Sequence, residues 1–191
     1  MALGLQGHPL DVAVATRADA SAFAAHIVRH LAESGRDGAP TFAPVTLVSH
    51  DDVVAQCERR WALPLSEPGW GRAWVLVERP PTTYPNDRPK VLGHVDLRGS
   101  LVHSGLHRAE LSIGLELPAR GARHGLRLAQ AGLAFARSAG LAYVDLKVFA
   151  HNAPARALYE KLGFIEIARI DDLFRMPDGA RIDDVWMTLA L

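Results

Sequence analysis

The chain holds one cysteine, Cys57, so no disulfide can form within it and a fold stapled in an oxidising compartment is not indicated. Long apolar runs are missing as well. None reaches the roughly 18 residues that a spanning helix needs. Residues 1–11 show no basic stretch followed by an apolar one, so a secretory leader is not expected. No sign of charge dominates: 21 Lys and Arg balance 21 Asp and Glu. A partner bound through phosphate neutralisation, such as nucleic acid, is therefore not expected. No Gly-x-x-x-x-Gly-Lys-Ser/Thr run is present, which removes a P-loop. Nine histidines occur, yet no His or Cys cluster sits at ligand spacing on a helix, so no metal is expected. Internal repeats, low-complexity tracts and linkers are lacking too. What remains is one cytoplasmic domain over residues 1–191 without a membrane partner.

What is present suffices for one sizeable core, because 49% of the residues are hydrophobic. A strand at 12–14 opens the chain. Phe23, Ile27 and Leu31 recur every four residues, predicting a helix over 18–34, capped by Asp19 or Ser21 and stopped by Gly35. A loop follows over 37–44. A second helix starts near Ser49, with Val53, Cys57 and Trp61 on its apolar face, where Cys57 packs as a small hydrophobe. Alternation predicts strands at 73–78 and 91–98, joined by a long loop carrying Pro80, Pro81, Pro85 and Pro89. The clearest strand is 108–117, with Leu111, Ile113, Leu115 and Leu117 on one face. Residues 126–139 are apolar around most of a helix circumference, so that helix lies buried on a sheet and ends at Gly140. A strand at 143–149 precedes a short helix at 152–162, with Pro154 in its first turn and Gly163 as its stop. Strands at 164–174 and 182–191 close the chain. The order β-α-α-β-β-β-α-β-α-β-β reads as mixed α/β.

Two stretches carry chemistry. Arg120-Gly121-Ala122-Arg123-His124-Gly125 leads from the clearest strand straight into the buried helix. Amides opening a helix have no internal partners, and the helix dipole adds partial positive charge, so a pyrophosphate fits there. The glycines let the main chain approach phosphate oxygens, and Arg120, Arg123 and Arg127 add cations. The second stretch runs from Val148 to Phe164: a strand, then Asn152, small residues, and Leu158-Tyr159-Glu160-Lys161-Leu162-Gly163-Phe164. Together they resemble the two signatures of the GNAT acetyltransferase superfamily, the first of which is Gln/Arg-x-x-Gly-x-Gly/Ala. Arg123 stands where that signature has its middle glycine. Residues 175–187 and 107–111 resemble, more loosely, a bacterial branch that acts on amino acids, small amines or protein amino termini.

The resemblance implies a GNAT fold: a central twisted, mostly antiparallel sheet with a splayed parallel strand pair and helices on both faces. Strands 108–117 and 143–149 are that pair. The resemblance implies acetyl-CoA as cosubstrate entering between them, with no metal. Backbone groups around Leu115 and Leu117 are implied for the pantetheine arm. The turn from Arg120 and Gly121 through Ala122, Arg123, His124, Gly125 and Leu126 is implied for the pyrophosphate. Asn152 is implied beside the arm or thioester, and it can also cap its helix. The resemblance implies an amine acceptor that attacks the thioester directly. Glu110 is the first candidate to remove the amine's proton and His107 the second, with His94 and Asp96 after them. Tyr159 matches the tyrosine that protonates the leaving thiolate. The Arg123 side chain has to turn outward, where it can meet a phosphate. A homodimer is plausible by analogy. The alternative is a non-catalytic acyl-CoA-binding or sensor module of the same fold, with Arg123 as its support.

Overall fold

The computed structural model describes residues 10–36, 41–43, 48–78 and 89–191, so the loops expected at 37–44 and 79–90 fall largely outside the described residues. The elements are β1 (Leu10–Val14), α1 (Ala20–Ala32), α2 (His50–Ala62), β2 (Gly71–Glu78), β3 (Lys90–Gly99), β4 (Arg108–Leu115), α3 (His124–Ser138), β5 (Tyr143–Phe149), α4 (Ala153–Lys161), β6 (Ile165–Arg175) and β7 (Arg181–Ala190). The expected order holds. All seven strands join one sheet, in the order β1-β2-β3-β4-β5-β7-β6. Every neighbouring pair is antiparallel except β4 and β5, which run parallel.

Boundaries moved where a local bond decided them. Helix α1 begins later than expected, because Thr16 and Asp19 bond each other and hold Arg17–Asp19 as a 3-10 turn. Ser49 caps α2 as expected, its hydroxyl accepting from the Asp52 amide at 3.1 Å. The strand expected over 108–117 stops at Leu115. Pro118 helps turn Leu117–Ala119 into a 3-10 turn, and Leu117 stands 47% exposed rather than continuing the apolar face.

Both faces of the sheet are covered, which β2 shows residue by residue. Trp74 and Leu76 join the larger core beneath α3, with Val95, Leu97, Leu111, Leu128 and Leu133. Ala73, Val75 and Val77 join a second core with Phe23 of α1 and Cys57 of α2. Burial lifts the Cys57 thiol to about 11, in keeping with a packed side chain rather than a nucleophile. Strand alternation thus sends Leu111 toward α3 and presents His94, Asp96 and Arg98 of β3, with Glu110 and Ser112 of β4, to the cavity beside α1 and α2. Polar residues occupy this inner face where a purely structural sheet would place apolar ones.

Candidate active site

The parallel pair defines the site. Strands β4 and β5 pair through Arg108↔Tyr143, Ala109↔Val144 and Glu110↔Asp145, and no pairing follows. Arg108 donates to both Asp145 oxygens at 2.6 and 2.7 Å, and Thr188 of β7 donates to the same carboxylate. Past this clamp, 111–115 and 146–149 part. A cavity of about 1140 Å³ fills the wedge and runs onward between the sheet and α1 and α2.

At one end of the cavity stands the turn into α3. Arg123 is the residue before the helix and holds φ +61°, a left-handed backbone that costs a non-glycine residue roughly 1 kcal/mol or more. Among the described residues no side chain bonds the helix's opening amides, Arg123 included. Gly121 has open space around it. Gly125 packs so that a methyl group there would touch Leu158 and Leu115 at 3.3–3.4 Å. Arg123, His124 and Leu126 line the cavity; Ala122 stands exposed beside them. Burial and the neighbouring Arg127 hold His124 below the ordinary imidazole range. Arg120 folds back, donating to the Leu115 carbonyl at 2.9 Å and to Glu33 at 2.6 Å. The Leu117 amide also donates to the Glu33 carboxylate, at 2.9 and 3.0 Å. Two backbone groups expected to meet a pantetheine arm are thus engaged within the protein.

Tyr159 and Asn152 line the middle of the cavity. Asn152 caps α4, its Oδ1 accepting from the Ala155 amide at 3.3 Å. The Tyr159 ring packs on Phe164, and its hydroxyl finds no hydrogen-bond partner among the described residues. Burial pushes its phenol up to about 12, so it remains a proton donor throughout the neutral range.

Beyond the clamp, on the α1–α2 side, Glu110 lies 3.4 Å from Arg98 and 3.6 Å from Lys147. Asp96 sits 3.0 Å from Arg98 beside the Ser112 hydroxyl, and burial lifts its carboxyl above the ordinary range. His107 does not reach the cavity. It is exposed, and its carbonyl serves the amides of Ala142 and Tyr143.

Three residues here gave no sign in the sequence. His26 and His30 of α1 are buried, as is Glu116 just past β4. His26 Nδ1 donates to Glu116 Oε1 at 2.8 Å, and His26 Nε2 lies 2.9 Å from His94 Nδ1. Arg29 completes the chain, donating to Glu116 at 2.8 Å. Burial holds His26 and His94 below the usual imidazole range and takes His30 down to about 4. Burial alone would raise Glu116, but the bonds from Arg29 and His26 outweigh it and hold the carboxyl low. Among the described residues no group of three or more His, Cys, Asp or Glu is arranged to hold a metal ion.

A parallel strand pair that opens beside an uncapped helix N-terminus is the arrangement the two sequence motifs called for. The model of the acetyltransferase (GNAT) family matches residues 56–164. The chain belongs to the GNAT acetyltransferase family. No curated protein matches the chain in sequence. Solved structures share the GNAT fold over nearly the whole chain. A GNAT-family acetyltransferase from Streptococcus pneumoniae is 17% identical, with a TM-score of 0.77 over 96% of this chain and 100% of that one. A ribosomal-protein-alanine N-acetyltransferase from Brucella melitensis is 22% identical, with a TM-score of 0.74 over 95% of this chain and 100% of that one. The yncA protein of Salmonella typhimurium, solved with acetyl-CoA as its cofactor, is 19% identical, with a TM-score of 0.73 over 96% and 94%. The expected family, the mixed α/β GNAT fold with its parallel pair, and the acetyltransferase class all hold. No helix among the described residues is long and apolar enough to cross a membrane.

Proposed function

We propose that this GNAT protein transfers the acetyl group of acetyl-CoA to a primary amine, either a small molecule, an amino acid or a protein amino terminus, in the cytoplasm. The observation that carries the reading is the wedge past Glu110↔Asp145, which opens beside the uncapped start of α3 and onto a cavity large enough for two substrates. The residues present fit the cosubstrate. The amides from Ala122 to Leu126 would offer a diphosphate partial positive charge, and Arg123 would add a full one. Leu115 and Asn152 lie along the wedge, where an extended arm adds to a strand edge. Arg120 and the Leu117 amide are available once Glu33 gives up its bonds to them.

Acetyl-CoA supplies an activated acyl carbon. The amine nitrogen forms the new C–N bond as the C–S bond breaks, one proton ends on the thiolate, and one leaves for solvent. Tyr159 is our candidate donor to the sulfur, because its phenol stays protonated and its hydroxyl has no partner among the described residues. Glu110 stands where the strands part. Its oxygens are shared with Arg98 and Lys147, so we assign it to drawing in and orienting the acceptor, with proton removal as its candidate second role. An alkyl ammonium has a pKa near ~10.4, so the enzyme has to take a proton before attack.

The test is a thiol-release assay with acetyl-CoA against free amino acids, phosphinothricin, putrescine and a peptide beginning with alanine, beside calorimetry of acetyl-CoA. Saturable thiol release with at least one amine is the expected result. The second reading, a non-catalytic acyl-CoA sensor, draws on the strained Arg123 and on Glu33 occupying the Leu117 amide. Binding without transfer across the whole panel favours it.

A further inference from the structure

Resting on the acetyltransferase reading, we infer that His94, His26 and Glu116 form a buried proton relay that carries the acceptor amine's proton out of the cavity, with His94 Nε2 as its entry. The bonding order fixes the direction. Glu116 is a carboxylate held by Arg29, so His26 Nδ1 must donate to it. A neutral His26 then has a bare Nε2, which can only accept, so His94 Nδ1 must be the donor in the 2.9 Å contact. That leaves the lone pair of His94 on Nε2. This atom looks along the inner face of the sheet to Asp96, 3.7 Å away, and both residues line the cavity.

The rings are placed with care. A methyl group on Gly114 would come within 2.5 Å of His94 Cε1 and 2.6 Å of His30 Nε2, so both imidazoles lie directly on β4. They lie on it over the residues that have lost their β5 partner. Phe23 closes over His94 from α1, ring centroids 5.3 Å apart.

One transfer moves three protons by one bond each. The ammonium gives a proton to His94 Nε2, His94 Nδ1 gives its own to His26 Nε2, and His26 Nδ1 gives its own to Glu116 Oε1. Neither imidazole carries net charge before or after, which suits rings buried where a cation is disfavoured. Glu116 sheds the proton on the Arg29 side, where the Arg29 side chain is 41% exposed, and each ring then turns over in place to bring its proton back to Nδ1 for the next cycle. His94 is the catalytic residue in this scheme; His26 and Glu116 act through it. The charged and titratable groups around the relay and its entry are His26, Arg29, His30 and Glu33 from α1 and its end, Asp96 and Arg98 from β3, Glu110 from β4, Glu116 and Arg120 beyond it, and Arg60 and Cys57 from α2.

The experiment compares wild type, His94→Gln, Glu116→Gln and Glu110→Gln, with acetyl-CoA and the panel amine that turns over fastest, across pH 6 to 10. Glu116→Gln still accepts the His26 hydrogen bond but cannot take up the proton. His94→Gln should lower kcat at neutral pH by roughly a hundredfold, within the usual span for a lost general base. Glu116→Gln should lower it by about tenfold or more on the same scale. Both deficits should shrink as pH rises toward the amine's own pKa, while the acetyl-CoA Kd of Glu116→Gln stays near wild type. If wild type turns over and Glu116→Gln keeps its kcat and pH profile, the network is structural and the relay falls alone. If Glu110→Gln alone removes the neutral-pH turnover, the relay also falls alone. If wild type binds acetyl-CoA but acetylates no amine, the acetyltransferase reading falls and the relay with it.

Discussion

Arg108 and Asp145 grip each other through two hydrogen bonds of 2.6 and 2.7 Å, across the three rungs from Arg108↔Tyr143 to Glu110↔Asp145 after which β4 and β5 separate. The pair sets where the wedge begins. Hydrogen bonds from Arg108 and Thr188 hold the Asp145 carboxyl below the usual 3.8, against the lift from burial. A depressed folded pKa means stability that is present above the unfolded pKa and lost as pH falls through the folded one. Asp145→Asn should therefore cost about 1 kcal/mol near neutral pH, a modest figure because both side chains are about one-third exposed to screening solvent. The deficit should shrink as pH falls below 3.8 and vanish once the pH is under the lowered folded value. Urea melts at pH 7 and in acid measure both.

Arg123 occupies a backbone region that favours glycine. Arg123→Gly should raise stability by about 0.5–1 kcal/mol, the strain relieved less the added freedom of the unfolded chain. Acetyl-CoA affinity should hold or improve in calorimetry. A loss of tenfold or more would show that the guanidinium itself grips a phosphate.

Tyr159→Phe keeps the ring packed on Phe164 and removes the donor. Turnover should drop by roughly ten- to a thousandfold, with acetyl-CoA affinity unchanged. Since the phenol titrates at about 12, wild-type activity should show no alkaline loss from Tyr159 up to roughly pH 10. Unchanged turnover in the variant would take Tyr159 out of the chemistry.

Gly114 leaves room for two imidazoles. Gly114→Ala should destabilise the fold by about 1–3 kcal/mol, because the rings it strikes are buried and cannot swing away. Turnover should fall as well, while acetyl-CoA binding through the α3 turn persists. Denaturant melts with parallel kinetics separate the two effects.

The sequence was informative where the signal is local. The Arg120 to Gly125 turn and the run from Asn152 to Phe164 declare backbone behaviour within a few residues, and the element order followed from periodicity. The α1 interior was misread for a physical reason. Phe23, Ile27 and Leu31 mark the apolar stripe, yet the buried positions are Ala20, Phe23, Ala24, His26 and His30. Histidine counts as polar until something buries it, and the partner that does so, Glu116, stands ninety positions further on. One signal was available: His94, Asp96 and Arg98 alternate with Val95 and Leu97. This pattern suggests a solvent-facing side, but in a sheet covered on both faces it marks a polar lining. The early end of β4 had one local sign, Pro118, while the distant Glu33 that bonds Leu117 and Arg120 left none.

A rung count of three between β4 and β5 has a mechanical meaning. Seven strands hydrogen-bond into one sheet, yet the four-strand half and the three-strand half meet along a seam barely one helical turn in length. Amide protons on Tyr143 and Asp145, which face β4, should exchange faster than those in the middle of β7. Slackening there changes the angle between the halves and thus the width offered to an incoming thioester.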